Sequence, residues 1–173
     1  MQTVCRVDTL YHYLLAGDDN LPGILSRGLL PLSAFPESER WQRFEPFYRS
    51  LYAQWAEPLL GPFRNSGVYF TPIDFRRLPG SYLYKRTRIA VPLAALPAER
   101  AVLTYELDGQ RIIAPLTTEA LEQAAAIWSA EMVKAWYARN PNMSFYYVPQ
   151  VAVFPEDGVP VQPGWVERAE EGG

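Results

Sequence analysis

The sequence predicts an α+β domain built mostly from antiparallel sheet, and three observations carry that expectation. The elements run strand, helices, several strands, one helix and a last strand, without the alternation that a parallel sheet requires. Asp108-Gly109 stands between two β-rich runs, Ala101 to Glu106 and Gln110 to Ala114, as a hairpin turn does. Thr118 to Arg139 places Leu121, Ala125, Trp128, Met132 and Ala135 on one helical face.

Taken in order, Val4 to Leu14 reads as the first strand, rich in Val, Leu and Tyr. Gly17 to Asn20 is a turn, with Asp19 or Asn20 as N-cap of a short helix from Leu21 to Arg27 that Gly28 stops. From Pro36 to Leu60 the aromatics Trp41, Phe44, Phe47, Tyr48, Leu51, Tyr52 and Trp55 recur at helical spacing. They suit either a helix pair covering the sheet or a lid or base-stacking platform. Gly67 to Thr71 and Thr87 to Leu93 are short strands, the latter ending at Pro92. In the long helix, Glu119 and Glu122 sit near its N-terminus and Lys134 and Arg139 near its C-terminus, matching the helix dipole. Ser144 to Phe154 is the last strand region. The reading is one domain over 1–166, followed by an acidic tail, 167–173, that frays.

Composition narrows the function classes. Of 173 residues, 49% are apolar and 20% charged, which suits an ordinary globular core. A net charge of −3 removes the global basic signature of a phosphate-backbone binder. Lys85, Arg86 and Arg88, with Arg76 and Arg77 nearby, are a local exception. They suit either guidance of an acidic substrate or a charged sheet edge. One Cys and one His exclude a Cys/His zinc site from this chain alone, so no metal is expected. No apolar run nears the ~20 residues of a membrane span. The N-terminal stretch lacks a signal-peptide core, so the cytoplasm is the expected location.

No GxGxxG, Walker or GxSxG pattern occurs. The chemical lead is the single histidine, His12. It reads either as a strand histidine satisfied by a backbone carbonyl, or as a ligand-binding imidazole with one nitrogen fixed and the other offered to a hydroxyl.

Leu10-Tyr11-His12-Tyr13, then Asn20-Leu21-Pro22-Gly23-Ile24-Leu25, then Gly28-Leu29-Leu30-Pro31, resembles the opening of ADP-ribosyltransferase-like domains. The DarT-like DNA ADP-ribosyltransferases and the RNA 2′-phosphotransferases carry variants of this pattern. Gly67-Val68-Tyr69-Phe70-Thr71 resembles a later strand of that superfamily, and Tyr147 to Val153 its last strand. The resemblance implies a split, mostly antiparallel sheet with flanking helices, and transfer of ADP-ribose from NAD to an acceptor left open between nucleic acid, protein and small molecule. It implies that His12 hydrogen-bonds a ribose hydroxyl, that Asn20 and its helix hold the dinucleotide, and that Tyr69 lies beside the nicotinamide ring. Tyr13 and Thr71, beside these positions, are expected with them to bind the NAD, and Arg27 is one of several arginines, with Arg40 and Arg43, that suit a pyrophosphate. Tyr69 also reads as an ordinary strand aromatic.

Gln150 stands where the family places a catalytic glutamate. A neutral amide accepts a hydrogen bond but supplies no negative charge to a developing cation. Glu156, six residues on, and Glu131 are the other acids weighed for that role. Two further readings stand beside transfer: a degenerate domain that binds nucleotide without turnover, and an RNA 2′-phosphotransferase-like enzyme.

Overall fold

The computed structural model describes residues 6–15, 17–35, 37–39, 42–43, 45–46, 54, 56–61, 67–81, 83–140 and 148–169. Two antiparallel sheets organise them. The first holds β1 (Thr9–Tyr13), β3 (Arg88–Pro92) and β7 (Val166–Glu167), in the order β1-β3-β7. The second holds β2 (Val68–Phe70), β4 (Ala101–Leu107), β5 (Gln110–Pro115) and β6 (Gln150–Val153), in the order β2-β6-β4-β5. Among the described residues, the helices with defined bounds are α1 (Leu21–Arg27), α2 (Glu57–Leu60), α3 (Thr118–Ile127) and α4 (Ala130–Arg139). This is an α+β arrangement with antiparallel sheets throughout.

Among the described residues, a backbone bridge joins the two sheets. Tyr11 N–H donates to Thr71 O at 2.8 Å and Thr71 N–H to Tyr11 O at 2.9 Å. This seam sets β1 beside β2. The main core fills the space behind both sheets, with Leu10, Phe70, Phe75, Ile89, Val91, Leu103, Val151 and Val153 buried. The opposite face of the second sheet carries a smaller cluster of Ala56, Val102, Ala152 and Phe154, with Tyr69 packed against it.

Local chemistry explains the elements. Asp108 and Gly109 both take positive φ, 51° and 76°, the conformation a two-residue hairpin needs between β4 and β5. Gly28 ends α1 at φ 83°, where a Cβ would lie 2.5 Å from Val159 O. That close approach lets Leu29 bridge Val159, so only glycine suits the position.

Several sequence expectations shift. The predicted helix from Thr118 to Arg139 is two helices, because Trp128 leaves helical geometry (φ −96°, ψ 55°) and Ser129 starts a new one, its side chain accepting from Met132 N–H. Trp128 Nε1–H donates to Glu106 O at 2.8 Å, which fixes the corner. The first strand is shorter than read, Thr9–Tyr13. The tail does not fray from 167: Glu167 pairs with Arg88 in the ladder and Ala169 N–H donates to Thr87 Oγ1 at 2.7 Å. The last strand is confined to Gln150–Val153. Ser144 to Tyr147, Arg40, and the aromatics Trp41, Phe44, Phe47, Tyr48, Leu51, Tyr52 and Trp55 lie outside the described residues.

Candidate functional site

Alternation gives β1 two chemically different faces. Leu10 and His12 share one with Ile89 and Val91 of β3; Tyr11 and Tyr13 share the other with Arg88.

His12 reaches across the seam. Its Nδ1 lies 2.8 Å from Tyr69 O, and its ring lies 5.7 Å from the Phe70 ring. A carbonyl only accepts, so Nδ1 carries the proton. Burial lowers the His12 pKa below its ordinary 6.5, and the bond to Tyr69 O opposes that shift. At neutral pH the imidazole is therefore uncharged, with Nε2 as an acceptor. Nε2 has no hydrogen-bond partner among the described residues.

The other expected site residues divide. His12 meets the backbone of Tyr69 rather than its ring. The Tyr69 side chain projects with Ala152 to the opposite face, toward Val102 and Phe154. Phe70 faces the core, as the alternation predicts. Gln150 is buried opposite Thr104, and its place two residues before Ala152 puts it on the Tyr69 face. On the His12 side, the β6 positions are Val151 and Val153. Asn20 and Arg27 are exposed; Asn20 makes no side-chain cap, because a 3-10 turn from Asp18 to Asn20 already leads into α1, and Arg27 lies over the Phe35 ring at 5.9 Å.

Tyr13 and Thr71 do not offer their hydroxyls to a ligand. Tyr13 Oη donates to Ile73 O at 3.2 Å and accepts from Phe75 N–H at 2.8 Å and Arg88 Nη1 at 3.1 Å. Burial pushes its phenol up to about 12 against the pull of Arg88. Thr71 Oγ1 donates to Pro149 O at 2.9 Å and accepts from Ile73 N–H at 3.2 Å. Both residues hold the seam together. Glu156 lies beyond β6 and pairs with Arg100 at 3.5 Å, and Glu131 is exposed on α4.

An ionic cluster around the buried Arg88, with half-buried acids, occupies the Tyr11 face, and sequence reading did not assemble it. Arg88 Nη1 donates to Asp74 Oδ1 at 2.5 Å, Nη2 to Glu167 Oε2 at 2.9 Å and Nε to the same oxygen at 3.1 Å. Its guanidinium lies 4.0 Å from the Tyr11 ring centroid. Burial works to lower the Arg88 pKa, but the bonds to Tyr13, Asp74 and Glu167 outweigh it and raise it. Arg88 thus belongs to the frame and is not a charge on an open sheet edge. The available signal was the alternation: Arg88 falls on the strand face shared with two tyrosines, where a guanidinium needs acidic partners.

Among the described residues, no group of three or more His, Cys, Asp or Glu side chains is placed to hold a metal, and no helix is long and apolar enough to cross a membrane. No family model, curated protein or solved structure matches this chain.

Proposed function

We propose that this chain is an ADP-ribosyltransferase-like domain that binds NAD, as substrate, at the seam between its two sheets. The observation that carries the reading is His12: one nitrogen is committed to Tyr69 O across the seam, and the other is a neutral acceptor. A ribose hydroxyl is the donor that such an acceptor suits. The order of parts supports the same reading. The Tyr-His strand is followed by the short helix ending at Gly28, and β1 lies beside the Gly-Val-Tyr-Phe strand. Exposed Asn20 and Arg27, in the turn and helix after β1, supply polar groups for a diphosphate.

Transfer would break the bond between the ribose anomeric carbon and nicotinamide nitrogen and join that carbon to an acceptor nucleophile. Positive charge grows on the sugar as nicotinamide leaves, and a fixed carboxylate is what stabilises it. Gln150 is neutral and turned from the His12 face, where β6 presents valines. That observation favours a second reading within the first: binding of NAD without turnover.

A thermal shift with NAD on wild type and His12→Ala tests the site. A shift in wild type that His12→Ala removes supports it; no shift in wild type sinks it. Nicotinamide release then separates transferase from binder.

A further inference from the structure

Among the described residues, β7 is the shortest strand and the last of the first sheet. Two residues join it to the ladder, Val166 beside Ile89 and Glu167 beside Arg88. Ile89 also stands opposite His12 on β1. Cross-strand partners share a face, so His12, Ile89 and Val166 make one rung of the sheet. Val166 ends that rung at the sheet's edge. Trp165 and Val166, both half-buried, pack against the main core. Strand β7 is thus the outer wall of the face that carries His12.

Side chains, more than ladder, hold this wall in place. Arg76 lies in the 3-10 turn Phe75–Arg77. Its Nε donates to Arg86 O at 3.1 Å, and its Nη2 donates to Glu167 O and Arg168 O, both at 2.6 Å. One planar fork therefore ties two segments of chain together, which a lysine's single ammonium cannot copy. On the face opposite His12, Glu167 Oε2 takes Arg88 Nη2 at 2.9 Å, with its own side chain 38% exposed. Ala169 N–H donates to Thr87 Oγ1 at 2.7 Å. Strand β4 is held differently: seven residues lie between two neighbouring strands, β5 and β6. A short edge strand at the end of the chain's ladder, with half its ties made by side chains, opens at lower cost than such a central strand.

We infer that residues 166–169 form a strap that walls the His12 face and opens as a unit while the rest of the domain stays folded, with Arg76 as its latch. Its bearing on a ligand rests on the NAD reading. Its test reads His12 itself, so the strap and the NAD reading fail separately.

His12 is the single histidine of the chain. Diethyl pyrocarbonate acylates an unprotonated imidazole nitrogen, so peptide mass reports how often Nε2 is reached. Amide exchange at Ala169 reports the strap, and amide exchange along β4 reports global unfolding. In wild type, Ala169 is expected to be at least tenfold less protected than the β4 amides. Arg76→Lys keeps the charge and loses the fork. It is expected to speed Ala169 exchange and His12 acylation together, each by fivefold or more, with β4 exchange unchanged. Equal protection of Ala169 and β4 in wild type overturns the inference. So does faster Ala169 exchange with His12 acylation unchanged, a parallel rise in all three rates, or no change in any. If Arg76→Lys does not fold, Arg76→Gln replaces it under the same criteria.

Discussion

The two faces of β1 solve the problem of a buried polar side chain in opposite ways. On one face Arg88 is fully answered: two carboxylates, a phenol and an aromatic ring use its donors and its charge. On the other face His12 is half answered: Nδ1 is fixed to Tyr69 O and Nε2 is not. The difference is what the proposed site rests on. A satisfied network fixes the frame, and a residual acceptor beside it is what a ligand can use.

Breaking the satisfied face should have the largest effect. Arg88→Met leaves Asp74, Glu167 and the Tyr13 hydroxyl without their shared partner. A loss of about 3 kcal/mol in urea unfolding is expected, because the charge-assisted bonds to Asp74 and Glu167 are lost while Arg77 and Arg76 still face those carboxylates. A loss below about 1 kcal/mol would place Arg88 among ordinary surface pairs.

Gly28→Ala comes next. Its Cβ meets Val159 O at 2.5 Å on a backbone at positive φ. Strain of this kind costs on the order of 1–3 kcal/mol. The expected companion is faster exchange of the Leu29 amide, which bonds Val159 O at 2.8 Å.

The half-satisfied face gives a smaller, pH-dependent effect. The folded pKa of His12 lies below its ordinary 6.5, so the unfolded chain binds the proton more readily. The contribution is complete above pH 6.5 and declines as the pH falls from there through the folded value. Stability measured between pH 7.5 and 5 should therefore fall less steeply in His12→Asn than in wild type. Identical slopes would show that His12 titrates as it does in the unfolded chain.

Gln150→Glu sharpens the comparison by doing least. Position 150 faces away from His12, so nicotinamide release from NAD should stay at background. Release in this variant would show that an acid on β6 reaches the sugar after all.

Much of the frame was legible because it rests on local signals. Asp108-Gly109 fixes a hairpin by its own φ values, and Gly28 stops α1 as read. The break at Trp128 was not read, because the apolar period runs across it; Ser129 as a cap was the available sign. The candidate site residues were legible as individuals more than as a set. His12 and Tyr69 do meet, but through a backbone carbonyl that no side-chain pattern announces. Tyr13 and Thr71 looked like site residues by adjacency, and their hydroxyls are spent on the seam. The Arg88 cluster joins positions 13, 74, 88 and 167 through long-range contacts, and spacing along the chain carries no trace of such contacts.

The central claim is that His12 Nε2, and not the seam bond, receives the ligand. His12→Asn isolates it, because the asparagine amide N–H can keep the bond to Tyr69 O while the acceptor at Nε2 is lost. Calorimetric titration of NAD into both proteins at pH 7 is the direct measurement. The expected result is saturable binding to wild type and a loss of tenfold or more in His12→Asn, with unfolding stability kept within about 1 kcal/mol. Equal affinity in the two proteins, or no binding to wild type, would contradict it.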